Sequence, residues 1–322
     1  MLLDGATLTI GLILLLGAAY YLVSSAVTIS LSLGISRVIV GLTAVAFGTS
    51  TPEFLVSLVA GLRDSSGVAL GNVLGSNVAN VGLVLGMAAV IAPMRVHARL
   101  VHWEIPILGA ATAAILLMGL SGAIQQWEGG LMVAGLTAFL LVSLRFFPET
   151  VADIELDAEV PSDDTEQQAR SLVPQVGLLV GSVGVLAIAS QLAVAGATGI
   201  SQRFGVSDFV IGVTVIAVGT SLPELVTSVV AAFRREHDIA VANVIGSNIF
   251  NLLGVIGLTS TVVPLSVDGG LYRFEMIALA VSTVILIPLA WPRYRIGRAE
   301  GFMLLGVYAT FTVLVIARGS AT

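Results

Sequence analysis

Runs of about twenty apolar residues, separated by short polar intervals, recur along the whole chain. A helix needs roughly 20 such residues to cross the hydrocarbon core of a bilayer. The pattern therefore predicts ten membrane-spanning helices, at about 8 to 30, 38 to 61, 67 to 92, 103 to 121, 127 to 147, 173 to 195, 207 to 232, 238 to 263, 272 to 291 and 300 to 317. The apolar pattern is interrupted inside some of these spans. In the second, Ala46 to Leu58 reads AFGTSTPEFLVSL, with a glycine, three hydroxyl residues, a proline and a glutamate where a spanning helix would normally be apolar.

Composition agrees with the pattern. The 322 residues are 57% hydrophobic and 11% charged, against about 25% charged in an ordinary soluble domain. The opening MLLD lacks the basic start of a cleavable leader, so the first span is expected to stay. There is no cysteine, which removes disulfides, thiolate chemistry and sulfur metal sites. All 14 basic residues are arginine. With the N-terminus outside, ten of them fall in inside loops or at inside helix ends (Arg37, Arg95, Arg99, Arg145, Arg170, Arg234, Arg235, Arg293, Arg295, Arg298) and four outside (Arg63, Arg203, Arg273, Arg318). The bias predicts a multi-pass cell-membrane protein with both termini outside.

The interruptions come in two copies. GLTAVAFGTSTPE (Gly41 to Glu53) matches GVTVIAVGTSLPE (Gly212 to Glu224), and GNVLGSNVAN (Gly71 to Asn80) matches ANVIGSNIFN (Ala242 to Asn251), all at an offset of 171. Over 41–86 and 212–257, 21 of 46 positions are identical. Apolar bias alone would repeat Leu, Val and Ala, but the matched positions include Thr, Ser, Pro, Glu, Asn and Gly. The offset spans five predicted helices, an odd number, so the second copy crosses the membrane in the opposite sense. The reading is an all-α membrane protein of two inverted five-helix repeats, 1–147 and 173–322, with broken helices at the midplane. This is a construction of secondary transporters. Between the repeats, 148–172 is acidic and poor in apolar residues. A solvated cytoplasmic connector is the favoured reading, with a regulatory cation-binding loop as the alternative.

The repeated motifs dictate a chemistry. Pro52 and Pro223 lack the N–H that would reach the carbonyls of Gly48 and Gly219, so carbonyls around Ala46 to Gly48 and Ala217 to Gly219 are expected to lose helical partners. Such backbone is tolerated in a membrane only when buried in protein or lining a polar cavity. Thr49 and Glu53, and Thr220 and Glu224, are four apart and share a helix face; Ser50 and Ser221 lie one residue on. Ser76 with Asn80, and Ser247 with Asn251, are again four apart, with Asn72 and Asn243 one turn back. A carboxylate at bilayer depth costs about 2.5 to 3.5 kcal/mol on insertion scales, and no Arg or His lies within either motif. A bound cation is the simplest counter-charge. Oxygen ligands without sulfur or imidazole suit Ca²⁺ and Na⁺. For each serine taken alone, packing against a neighbouring helix competes evenly with ligation.

Other polar residues say less. His97, His102 and Glu104 lie near a span end, where a solvated or snorkelling role is expected. His237 and Asp238 are expected to be solvated, and Asp208 and Glu275 to complement helix dipoles. Trp103, Trp127 and Trp291 fall near span ends, as an interfacial belt requires.

The paired GTSTPE and GTSLPE, with GNVLGSNVAN and ANVIGSNIFN, resemble the alpha repeats of the cation/calcium antiporter superfamily, especially its prokaryotic sodium/calcium exchangers. The linker looks too short for the calcium-sensing domains of animal exchangers. The resemblance implies that Glu53 and Glu224 coordinate Ca²⁺ with the main-chain carbonyls of Thr49 and Thr220. It implies that Na⁺ uses the same glutamates with Ser50, Ser76, Ser221, Ser247 and the carbonyls of Ala46 and Ala217. Asn80 and Asn251 match the family's central positions, although well-known exchangers carry aspartate where this chain has Asn251. The implied activity is Na⁺-driven Ca²⁺ extrusion, without enzyme chemistry or cofactor. One Ca²⁺, more than one Na⁺, or protons could neutralise the glutamates. Proton/calcium antiport is therefore a rival, although that branch usually has an acid in the second motif helix, which GNVLGSN and ANVIGSN lack. An uncoupled cation channel is a second rival. An intramembrane hydrolase is disfavoured, because no repeated Ser-His or Ser-Lys pair could activate a nucleophile.

Overall fold

The computed structural model describes residues 1–146, 172–206, 211, 215, 217–267, 272–291 and 293–319. All but the last residue of the acidic stretch 148–172, and Asp208 with the start of the seventh expected span, lie outside these residues. The described chain is almost entirely helical. Helix α1 (Leu2–Leu33) ends at Gly34, whose φ of 62° lets the chain turn while the N–H of Ile35 returns to the carbonyl of Ser30. Ser36 then caps the next helix by accepting the N–H of Val38 at 3.0 Å. Helices α2 (Arg37–Thr49) and α3 (Thr51–Leu62) meet at a 46° bend. They are followed by α4 (Ser66–Ile91), α5 (Leu100–Gly119) and α6 (Gln126–Phe146). The second half contains α7 (Leu172–Arg203), the short α8 (Ala217–Thr220), α9 (Leu222–Phe233), α10 (His237–Val262), α11 (Tyr272–Ala290) and α12 (Arg298–Gly319).

Among the described residues, seven helices (α1, α4, α5, α6, α7, α10, α12) are long and apolar enough to cross a membrane, and the bent pair α2–α3 makes an eighth. Helices α9 and, from Phe274, α11 are shorter apolar helices at the remaining two expected positions. Most ends match the hydropathy expectation closely. Helices α1 and α7, at 32 residues each, outrun it. Hydropathy falls at their polar ends, but the backbone stays helical there because the two pack together. A side chain at Gly196 would come within 2.5 Å of the Leu8 nitrogen, and Arg203 reaches Asp4 at 2.7 Å.

Burial sorts the helices. The apolar window of α10 is 100% buried and that of α4 72%, whereas α12 reaches 11%. The two central helices are thus the ones carrying the Asn and Ser motifs, and large apolar side chains on α1, α6, α7 and α12 form the outer, lipid-facing surface. The exposed Trp103, Trp127 and Trp291 stand near helix ends, as expected. Glu104 departs from expectation. It is 1% exposed and binds Arg99 at 2.8 Å, because the chain folds back before α5 and carries both groups inward together.

Contacts tie the halves together at both ends. Strand β1 (Met94–Arg95) pairs antiparallel with β4 (Arg295–Ile296), and β2 (Ala123–Ile124) pairs with β3 (Leu265–Ser266). Arg37 binds Glu236 at 2.9 Å. Inside the bundle, Thr112 and Thr283, 171 apart, hydrogen-bond to each other at 3.1 Å.

Small residues set the closest helix approaches. A methyl added to Gly246 of α10 would lie 2.7 Å from the carbonyl oxygen of Leu42 and 2.9 Å from the Ala46 Cβ, whereas one added to Gly75 would meet nothing within 4 Å. Gly246→Ala should therefore cost about 1 to 3 kcal/mol through overpacking. Gly75→Ala should be neutral or stabilising by up to about 1 kcal/mol through helix propensity. Thermal unfolding in detergent micelles checks the contrast, and equal effects at both positions would refute this account of the packing.

Candidate cation site

The two motif breaks have one geometry. Ser50 (φ −85°, ψ 6°) and Ser221 (φ −87°, ψ 7°) each separate a short helix from the one that follows. Pro52 and Pro223 stand in the first turn of α3 and α9, where no helical partner is demanded of the missing N–H. Each proline therefore starts a helix. Glu53 and Glu224 occupy the same first turns, the favourable end of the helix dipole for an acid, and both are 0% exposed.

Fewer carbonyls are released than expected. The Ala46 carbonyl still accepts the N–H of Ser50 at 3.0 Å and the Thr49 hydroxyl at 3.3 Å. The Phe47 carbonyl accepts the Thr51 hydroxyl at 3.0 Å. In the second copy the carbonyl deprived by Pro223, that of Gly219, accepts the Ser190 hydroxyl at 2.5 Å. At the second break a hydroxyl from α7 repairs what proline breaks, a compensation that helix-periodicity arguments do not see.

Around the breaks, hydrogen bonds cross from one half to the other. Ser50 Oγ donates to Glu224 Oε1 at 2.8 Å. The equivalent hydroxyl, Ser221 Oγ, is buried without a hydrogen-bond partner among the described residues. Thr49 Oγ1 donates to Asn243 Oδ1 at 3.2 Å and is 3.5 Å from Ser247 Oγ. Asn72 Nδ2 donates to the Glu53 carbonyl at 3.1 Å and Ser57 Oγ at 2.9 Å; Asn243 Nδ2 donates to the Glu224 carbonyl at 3.4 Å and Ser228 Oγ at 3.0 Å. The central helices thus hold each break by an identical pair of bonds, from the same two residue types.

One level further along α4 and α10, Asn80 Nδ2 donates to Asn248 Oδ1 at 3.0 Å and Asn248 Nδ2 to the Asn77 carbonyl at 3.3 Å. Asn80 opens the π-helical stretch Asn80–Leu85, and Asn251 lies in its counterpart Phe250–Ile256. Such widened turns accompany functional sites in many helices. Ser76 and Ser247 are buried at the same level. Ala217 begins α8, and Thr220 ends it on the wall of a cavity of about 330 Å³ shared with Thr51, Pro52, Ser190, Gln191 and Gly219.

The unpaired atoms define the chemistry. Both carboxylate oxygens of Glu53, Glu224 Oε2, Ser221 Oγ, Asn80 Oδ1 and both amide atoms of Asn251 are buried without a hydrogen-bond partner among the described residues. Each such atom ordinarily costs about 1 to 3 kcal/mol, more when charged. Two facing carboxylates also repel. A bound cation would offset these costs at the two breaks. Among the described residues no group of three His, Cys, Asp or Glu could hold a metal ion, and the unpartnered atoms named above belong to a hydroxyl, amides and two acids. That donor set suits a hard cation.

Of the sequence-derived residues, contacts across the halves join Ser50 to Glu224 and Thr49 to Asn243 and Ser247; Glu53, Ser76, Asn80, Ser221 and Asn251 are buried on the breaks or the central helices, and Ala217 and Thr220 bound α8. Asn77, Asn248, Ser57, Ser228 and Ser190 were missed. The first two repeat at the 171-residue offset inside GSN, and Ser57 and Ser228 repeat fifteen residues before Asn72 and Asn243, so the repeat carried their signal. Ser190 has no such signal, since its equivalent position holds Ala19.

Comparison with known proteins is consistent throughout. A family model described as sodium/calcium exchanger protein matches residues 5–145 and 174–317. CaxA of Alkalimonas amylolytica is 35% identical over 315 residues, covering 96% of this chain and 97% of its own. The sodium/calcium exchanger MaX1 of Methanosarcina acetivorans is 32% identical over 343 residues, covering 96% and 97%. The solved structure of the sodium-calcium exchanger NCX_Mj soaked with 2.5 mM Na⁺ and 0.1 mM Ca²⁺ superposes with a TM-score of 0.82 at 28% identity, over 98% of each chain.

The paired asparagine brackets make a prediction of their own. Asn72→Ala or Asn243→Ala strips a break of both amide bonds and should lower stability by about 1 to 3 kcal/mol. The Asn72→Asp and Asn243→Asp variants also lose the amide donor and should recover little of it. Thermal unfolding decides this, and full recovery by aspartate would show that the donated bonds are not what matters.

Proposed function

This chain belongs to the sodium/calcium exchanger family, and we propose that it is a Na⁺/Ca²⁺ antiporter working by alternating access in the direction of Ca²⁺ extrusion. The chain is a transporter of the membrane, not an enzyme, and its family carries cations as substrates. The carrying observation is one fully buried carboxylate at each break, with Ser50 of the first break donating to Glu224 of the second and, among the described residues, no basic side chain bonded to either.

On this reading Glu53 and Glu224 hold Ca²⁺ together with the carbonyls of Thr49 and Thr220. Na⁺ uses the same acids with Ser50, Ser221, Ser76, Ser247 and the carbonyls of Ala46 and Ala217, while Asn80 and Asn251 provide the central amides. Two negative charges are neutralised by one Ca²⁺ or by more than one Na⁺, but not by both together, and exclusion of one set by the other is exchange. A chamber with its charge balanced can pass between outward and inward access at a far lower cost than a charged one.

The same reading gives ten spans, with α2–α3 and α8–α9 as broken helices, in two inverted repeats, 1–147 and 173–322, joined by the linker 148–172. Several contacts support it. The pairs β1–β4, β2–β3, Arg37–Glu236 and Arg203–Asp4 each join segments that a ten-span count puts on the same side. The mutual bond of Thr112 and Thr283 is what equivalent residues make beside a local two-fold axis. The cavity at Thr220 shares Leu55 and Val56 with a recess of about 510 Å³ that reaches Arg63. With both termini outside, as the arginine bias indicates, this path opens outward.

Ca²⁺ uptake into proteoliposomes under imposed Na⁺ or pH gradients is the test. A Na⁺ gradient should drive uptake, and Glu53→Gln or Glu224→Gln should reduce it to the level of empty liposomes. Uptake driven by the pH gradient alone would transfer the assignment to proton exchange, flux without any counter-ion gradient would make the protein a channel, and full Ca²⁺ flux in both Gln variants would sink the site.

Stability gives a second readout. Ca²⁺ at about 100 times its Kd should stabilise the wild type by about 2.7 kcal/mol, and this gain should vanish in either Gln variant. Asn251→Asp adds a third acid and should make Ca²⁺ competition by Na⁺ steeply pH-dependent, as measured by Ca²⁺ binding between pH 5 and 8. A profile identical to the wild type would remove Asn251 from the ligand set.

A further inference from the structure

The repeats diverge at one cavity away from the cation chamber. It lies between α4, α11 and α12, holds about 200 Å³, and is lined by Gly71, Gly75, Ala79, Glu275, Tyr308 and Phe311 among others. The positions 171 residues away from the first four are Ala242, Gly246, Phe250 and Glu104. There the equivalent space is closed. Gly246 lies against Leu42 and Ala46, a phenylalanine replaces Ala79, and Glu104 is satisfied by Arg99 at 2.8 Å.

In the cavity itself a side chain at Gly71 or Gly75 would meet nothing within 4 Å. Glu275 has no counterpart of Arg99, since the equivalent position is Gly270. Its Oε2 is buried without a partner among the described residues. Arg318 is tied to the wall through aromatic rings: its guanidinium is 4.6 Å from the centre of the Phe274 ring, and Phe274 stacks on the wall residue Phe311 at 5.6 Å and 5°. Arg318 acts electrostatically on Glu275. The polar end of the cavity is therefore at a helix terminus, where the bundle meets the lipid–water boundary. The apolar floor runs inward along α4 and α12 for the two turns from Val315 to Tyr308, about 10 Å. Helix α12 is 11% buried, so this flank is turned to lipid.

We propose that this cavity is a binding site for one phospholipid with a primary-amine headgroup. One acyl chain lies along Gly71, Gly75 and Ala79 against Phe311, the ammonium donates to Glu275, and the phosphate meets Arg318. The headgroup preference follows from Glu275. A buried carboxylate oxygen needs a hydrogen-bond donor and, beside a lipid phosphate, a cationic one. A quaternary choline has none, and a glycerol headgroup leaves the lipid's negative charge uncompensated beside the acid. The proposal requires only that the chain spans a bilayer and does not depend on which cations are exchanged.

Thermal unfolding of the purified protein in detergent, with added dioleoyl phosphatidylethanolamine, phosphatidylcholine or phosphatidylglycerol, tests it. The ethanolamine lipid should raise the midpoint of the wild type by about 4 °C more than either of the others at saturation. Glu275→Gln should erase that preference. Gly75→Leu fills the floor from a position with free space, so it should unfold no lower than wild type in detergent alone yet lose the lipid response. It also serves where Glu275→Gln fails to fold. Equal stabilisation of the wild type by all three lipids, or a response to the ethanolamine lipid that survives in Gly75→Leu, overturns the assignment.

Discussion

Burying two carboxylates side by side without a basic partner is the constraint on which the rest of this structure depends. In water the pair would be trivial. Inside a bundle in lipid it is intolerable unless something offsets the charge. A salt bridge would do so permanently, as Arg99 does for Glu104 near a helix end. On the proposed function the site takes a mobile cation instead, and among the described residues Glu53 and Glu224 have no partner of that kind. The fully buried α10 and the largely buried α4 form the wall against which the broken helices are held.

Holding the breaks in place is costly in its own way, and asparagine meets the cost twice with the same chemistry. Asn72 and Asn243 each donate to the carbonyl of the glutamate and to a serine one turn further along that helix. The backbone at the acid is thereby fixed by an amide that carries no charge and does not compete with a cation. The amides of Asn80 and Asn248 close the space between the halves in the same neutral fashion. Charge is confined to two residues, and everything that positions them is uncharged.

Much of this was legible in the chain. The offset of 171 exposed the repeat, and the polar residues inside apolar runs identified the chamber, because burying them has a price that random drift would not keep in both copies. Helix ends were read well wherever hydropathy and helix end together, and poorly for α1 and α7, whose mutual packing carries the helix past the apolar window. The fate of individual carbonyls was not legible. Whether Gly219 keeps a partner depends on Ser190, which approaches from the preceding helix and has no counterpart in the other repeat. The burial of Glu104 was hidden likewise, since a polar residue near a span end looks the same whether it faces water or an arginine folded back beneath it.

That asymmetry bears on how such a protein can work. Gly48 and Gly219 are equivalent residues before equivalent prolines, yet Gly48 is covered by Val183 of α7 and Gly219 by Val194 of the same helix, eleven residues further along. Two halves built alike should have like surroundings if the molecule has one symmetric resting state. Here α7 lies over both breaks and is bonded through Ser190 to only one. The positions equivalent to Val183, Ser190 and Val194 are Leu12, Ala19 and Val23, all on α1, which packs along α7. Under the proposed inverted arrangement, exchanging the roles of the halves would bring that face of α1 over the breaks and move the opening to the other side. On the proposed alternating access, that exchange is a joint sliding of α1 and α7 across a core that keeps its shape. The close Gly11 and Gly196 contacts between them suit such a paired movement, since each backbone already lies against its neighbour with no side chain to unlock.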